Sequence, residues 1–169
     1  PSTIPATLGT KFLYVSAIAC AFAVLAVAFV IVAKYRKIFL VLPIILTVLA
    51  ELFIIISVIG LLGTIDLSAV AGMIAVVGTG VDAQIIITDE VLTNTSESAM
   101  KHKLNNAFYI VWVDAALVIV AMLPLLFSTS LVSVIGFAES TILGALLGVL
   151  ITRPAYGAIV SKHYLRSDA

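Results

Sequence analysis

Charge is what this chain has least of. Of its 169 residues 11% are charged, nine basic and nine acidic, for a net charge of zero. A soluble domain carries about 25%, and a nucleic-acid binder shows an excess of Lys and Arg on one face, so both classes are excluded. Cysteine is nearly absent too. The single Cys20 rules out a disulfide framework and a cysteine-based metal site, and it reads as a small buried hydrophobe. The two histidines, His102 and His163, stand beside lysines with no ligand-type neighbour at metal-site spacing. No Gly-rich phosphate loop stands between a strand and a helix. Neither a metal nor a cofactor is expected. An initiator Met and a signal-like basic start are also missing, which suggests a fragment whose natural parent has at least one earlier helix.

What is present is apolar. Hydrophobic residues make up 63% and the mean hydropathy is +1.28. About 20 consecutive apolar residues cross a bilayer as a helix, and five such runs fit between the polar stretches, at about 12–33, 38–62, 67–88, 107–127 and 131–152. They are separated by "KYRK" (34–37), "GTID" (63–66), the long polar stretch 89–106 and "STS" (128–130), and closed by "RP" (153–154). No alternation of period two persists, so a barrel is excluded. The reading is an all-α membrane protein with a lead-in at 1–11, a helical bundle over 12–160 and a tail at 161–169. Lys34, Arg36, Lys37, Lys101, Lys103, Arg153, Lys162 and Arg166 fall on one side of these spans and Lys11 alone on the other. Lys and Arg accumulate in cytoplasmic loops, which places the N-terminus outside and the C-terminus in the cytoplasm. On that topology "NTS" (94–96) lies inside the cell and is no glycosylation acceptor.

Four acids fall within the spans: Glu51, Asp82, Asp114 and Glu139. A charged Asp at mid-helix costs about 2.5–3.5 kcal/mol on insertion scales, so such residues turn inward and mark ion or proton pathways. Asp82 stands 15 residues after Leu67, about 22 Å along a helix. It is the primary candidate for a proton relay. Asp89, two turns on and on the same face, with Glu90 beside it and Glu51 mid-way along the second span, are secondary candidates. Ala75, Gly78 and Thr79 continue the Asp82 stripe. Gly78 and Gly80 are expected to admit a neighbouring helix that shields the carboxylate, and Gly144 and Gly148 have the small-xxx-small spacing of close helix packing. Asp114 and Glu139 read as structural or interfacial.

The stretch "AGMIAVVGTGVDAQIIITDE" (71–90) resembles the fourth-helix motif of the archaeal-type SecD proteins of the SecD/SecF protein-export family, in the RND superfamily of proton-driven transporters. "PSTIPATLG" (1–9) is similar to the segment that leaves the extracytoplasmic head domain, "KYRK" to the loop between helices two and three, and "GFAESTILGALLGVLITRPAYGAIV" (136–160) to the sixth helix with its T-R-P. The resemblance covers nearly the whole chain. It implies that the five spans are helices two to six of a six-helix unit, without helix one and the head domain. It implies that Asp82 matches the family's intramembrane acid and that Asp89 and Glu90 match the acidic end of its helix. Ala83 stands where archaeal relatives often have a second acid. The function implied is a proton-motive-force-linked accessory subunit of the Sec translocase. Its partners would be a SecF-like subunit, the Sec channel, the translocating polypeptide, protons and membrane lipids. Another RND-type exporter and a passive translocon scaffold are the alternatives. An intramembrane protease is disfavoured because Val81 separates Asp82 from the G-x-G spacing that such enzymes use.

Overall fold

The computed structural model describes residues 6–36, 38–62, 65–92, 97–127 and 134–167. The described chain is helical: α1 (Ala6–Tyr35), α2 (Ile38–Leu62), α3 (Leu67–Leu92), α4 (Glu97–Leu126), α5 (Ile135–Leu147), a π-helical turn (Gly148–Thr152) and α6 (Arg153–Ser167). Five segments are long and apolar enough to span a bilayer, the fifth being α5, the π turn and most of α6 in one run, Ile135–Lys162. The fold class is therefore the all-α one that the hydropathy indicates.

Three boundaries differ from the sequence reading. The polar stretch at 89–106 is mostly helix, because α3 runs on to Leu92 and α4 begins at Glu97. Polar residues continue a helix readily once it has emerged from hydrocarbon. The fifth span does not stop at Thr152 either. Pro154 lacks an N–H and its ring presses on the carbonyl four residues back, and the chain answers by widening one turn instead of ending the helix: the Arg153 N–H donates to the Gly148 carbonyl, five residues back. The expected tail therefore begins as helix, and the expected start of this span at 131 lies outside the described residues.

Helix ends follow local chemistry. Asp66 caps α3, its Oδ1 accepting the Ala69 N–H at 2.7 Å, a bond that satisfies one of the helix's orphan donors. At the other junction Arg36 adopts a left-handed φ of 52° and its N–H donates to the Val32 carbonyl at 2.9 Å. That bond closes the last turn of α1.

α3 is the axis of the bundle. It touches α1, α2, α4, α5 and α6, and its broadest contact is with α5. Ile44, Val48, Leu52 and Ile55 of α2 and Met73, Val76, Val77 and Val81 of α3 form the core. Close approach of α3 and α5 rests on small residues, as membrane helix packing requires. A Cβ at Gly144 would overlap Val76, and one at Gly72 would lie 2.7 Å from the Phe137 carbonyl oxygen. α1 and α4 are peripheral, with Phe22, Leu25, Phe29, Trp112, Leu117 and Val120 turned outward. The two spans of lowest hydropathy, α3 and Ile135–Lys162, are the most buried.

Candidate functional site

α3 carries two polar faces, and they look in opposite directions. On the outer face Gly78, Asp82 and Asp89 are exposed, with Ala75 and Thr79 half-buried beside them. That is the stripe expected from the sequence, but its setting is not. Asp82 is not enclosed between helices of this chain, and among the described residues it has no hydrogen bond or ion pair. Gly78 brings no neighbour close: a Cβ there would meet nothing within 4 Å. Gly80 is not on this side at all. Two residues in a helix are about 200° apart, so Gly80 looks inward, where a Cβ would lie 3.2 Å from Glu51 Oε2.

At one end of the outer face the acids are paired. Asp89 Oδ2 meets Lys34 Nζ at 2.8 Å, and its Oδ1 accepts the Tyr35 hydroxyl at 2.6 Å. Glu90 lies 3.8 Å from Lys103. These two neighbours tie the end of α3 to α1 on one side and to α4 on the other. Asp114 and Glu139 are exposed.

The inner face is the part that sequence reading left almost unmarked. Glu51 is 3% exposed, Gln84 and Tyr156 0%, and Arg153 2%. Thr152 Oγ1 donates to Glu51 Oε2 at 3.1 Å, and Arg153 Nη1 donates to the Ala145 carbonyl at 3.3 Å. The charges of Glu51 and Asp114 both act on Arg153. Arg153 is therefore no loop cation, as the topology count took it, but a buried guanidinium inside the fifth span. Gly148 makes room for it, because a Cβ there would collide with the guanidinium. Its role within the chain is to seat a side chain and not a neighbouring helix. One turn further along, the Thr88 and Tyr156 hydroxyls are 2.5 Å apart. Among the described residues, Glu51 Oε1, Arg153 Nε and both amide atoms of Gln84 are buried without a hydrogen-bond partner.

Glu51 was legible as a mid-helix acid. Thr152 lies 101 residues further along the chain, and nothing local announces the contact. The readable signal was the i, i+4 series Gly80, Gln84, Thr88, whose members share one face.

The comparisons with known proteins agree with one another. Residues 1–158 match the family described as "Protein export membrane protein SecD/SecF, C-terminal". The chain is 42% identical over 167 residues to the protein-export membrane protein SecD of Methanothermobacter thermautotrophicus, covering 94% of this chain and 41% of that protein. It is 40% identical over 164 residues to SecD of Methanocaldococcus jannaschii, covering 96% and 41%. With SecD of Haloferax volcanii the identity is 44% over 163 residues, covering 94% and 31%. The chain thus spans less than half the length of these relatives. No solved structure matches it.

Proposed function

The chain belongs to the SecD/SecF family of protein-export membrane proteins, and from that premise we propose that it is the membrane-embedded part of a proton-linked accessory subunit of the Sec translocase. Asp82 is the group that takes up and releases the proton. A SecF-like partner contributes the second half of the membrane unit and covers the outer face of α3. Multi-pass insertion follows from the five spans. The excess of Lys and Arg on the side of Lys34, Lys37 and Lys103 supports a cytoplasmic position for that end.

One observation carries the reading: Asp82 is exposed on a stripe of small residues within a candidate membrane span, with nothing among the described residues to satisfy it. A carboxylate facing lipid is costly. The same carboxylate facing a polar seam between two halves is placed for proton exchange, and Ala75, Gly78 and Thr79 leave room for a helix of the partner to approach. Asp89 and Glu90, held by Lys34 and Lys103, fix the end of that helix rather than exchange protons along this face.

Asp82→Asn in the full-length subunit, assembled with its partner, is expected to abolish the part of polypeptide export that depends on the proton gradient while membrane insertion stays intact. Full gradient-dependent export in that variant would overturn the proposal.

A further inference from the structure

Among the described residues a single one that is not glycine has a positive φ. It is Arg36, at 52°, a left-handed conformation that glycine enters freely and that costs any residue with a Cβ. α1 ends at Tyr35 and α2 begins at Ile38, so Arg36 stands in a short turn where glycine or asparagine would be the less strained choice. A strained residue that persists points to a use for its side chain. That side chain is exposed and, among the described residues, has no hydrogen bond or ion pair. The lysines at this end are placed differently. Lys34 meets Asp89 at 2.8 Å and lies over the Tyr35 ring, and Lys103 is 3.8 Å from Glu90. The acids at the end of α3 thus answer the two lysines and leave the Arg36 guanidinium without a counter-charge.

Residue 36 lies between two candidate membrane spans, the first ending at Tyr35 and the second beginning at Leu40. A junction of that kind sits where hydrocarbon gives way to headgroups. Lys103 and Lys162 are exposed at the same end of the bundle, where the fourth span begins and the fifth ends. α2 opens there with no acidic side chain in its first turn, so the positive end of its dipole adds to the field. Basic residues just outside a span attract anionic lipid. A guanidinium is matched by an oxyanion that accepts two hydrogen bonds side by side, a carboxylate or a phosphate. At headgroup level that oxyanion is the phosphodiester of a phospholipid.

We propose that the turn between α1 and α2 is a binding site for an anionic phospholipid. The Arg36 guanidinium holds the phosphate, and Lys34 and the start of α2 favour the net negative charge of the headgroup. The site goes beyond the export reading and does not involve the partner-facing Asp82. It pins the α1–α2 hairpin to one leaflet, at the end where Lys34 and Tyr35 already join α1 to α3 through Asp89.

The test reads lipid occupancy and not export, so it stands or falls apart from the Asp82 proposal. The full-length subunit with its partner is purified in detergent, and binding of the first phosphatidylglycerol or phosphatidylcholine molecule is titrated by native mass spectrometry. The wild type is expected to prefer phosphatidylglycerol by about fivefold or more. Arg36→Gly, which suits the left-handed turn, is expected to lose most of that preference and to unfold in lipid-free detergent at the wild-type temperature or above. Lys11→Gln, at the other end of the first span, is expected to keep it. Equal affinity for the two lipids in the wild type, or an undiminished preference in Arg36→Gly, would overturn the site. A lower unfolding temperature in Arg36→Gly would assign the arginine to the packing of the turn and remove the argument from strain. Loss of the preference in Lys11→Gln would show diffuse surface charge in place of a site, and displacement of the lipid by millimolar inorganic phosphate would assign it to a soluble anion.

Discussion

Asp82 and Glu51 are carboxylic acids in the same bundle with opposite surroundings, and α3 decides both. Asp82 sits on its outer stripe. Glu51 is packed against its inner side at Gly80, where even a methyl group would press on the carboxylate at 3.2 Å. The outer stripe was legible, because a spacing of seven residues places Asp82 and Asp89 on one helix face whatever else happens. Which way that face points was not legible, since direction is set by contacts between helices far apart in sequence. The glycines show the same division. Gly72 lies where α3 and α5 nearly touch, and Gly78 lies in the open. Gly72→Val should therefore overpack the α3–α5 contact and destabilise the bundle by about 1–3 kcal/mol. Gly78→Val should leave the isolated chain unchanged. Unfolding of the two variants in detergent, followed by circular dichroism, checks the contrast: equal stability would mean that α3 and α5 are not in close contact at Gly72.

Among the helices, the π turn at Gly148–Thr152 does the most to position polar groups. "RP" reads in sequence as an ending, because a proline usually ends a helix or kinks it. In the structure a turn one residue wider absorbs the proline and the helix continues to Ser167. This brings Thr152 and Arg153, two consecutive residues, both inside the bundle, where a regular helix turns neighbours about 100° apart. Periodicity could not have shown this, since the period itself changes there. Thr152→Val should leave Glu51 Oε2 without its donor and cost about 1–3 kcal/mol, whereas Thr152→Ser should retain most of the wild-type stability. Thermal unfolding of both variants distinguishes the lost hydrogen bond from a change of shape, and equal losses would assign the effect to packing.

In the whole molecule, the number of spans and the fold class were legible because bilayer thickness fixes helix length. The inner polar face was hidden because it assembles from α1, α2, α3 and α6 together. Its outer counterpart, on α3 alone, is the face that the proposed partner would cover. In a Cys20→Ala background, single cysteines at Gly78 on α3 and at Leu25 on α1 are expected to react alike with a lipid-soluble maleimide in the isolated subunit. Once the partner is assembled, only the Gly78 site should be protected. Equal labelling of both in the complex would place the partner elsewhere. The burial of the two spans of lowest hydropathy has a further consequence, for biosynthesis. The α1–α2 hairpin leaves the ribosome before α3 and is the more apolar of the two. α3, with Asp82, Gln84 and Asp89 along it, follows at a much lower driving force and gains most of its neighbours only when α5 and α6 have been made. Until then the nascent chain holds its most polar span beside a ready hairpin. A ribosome paused before residue 135 should therefore expose α3 to membrane quality control.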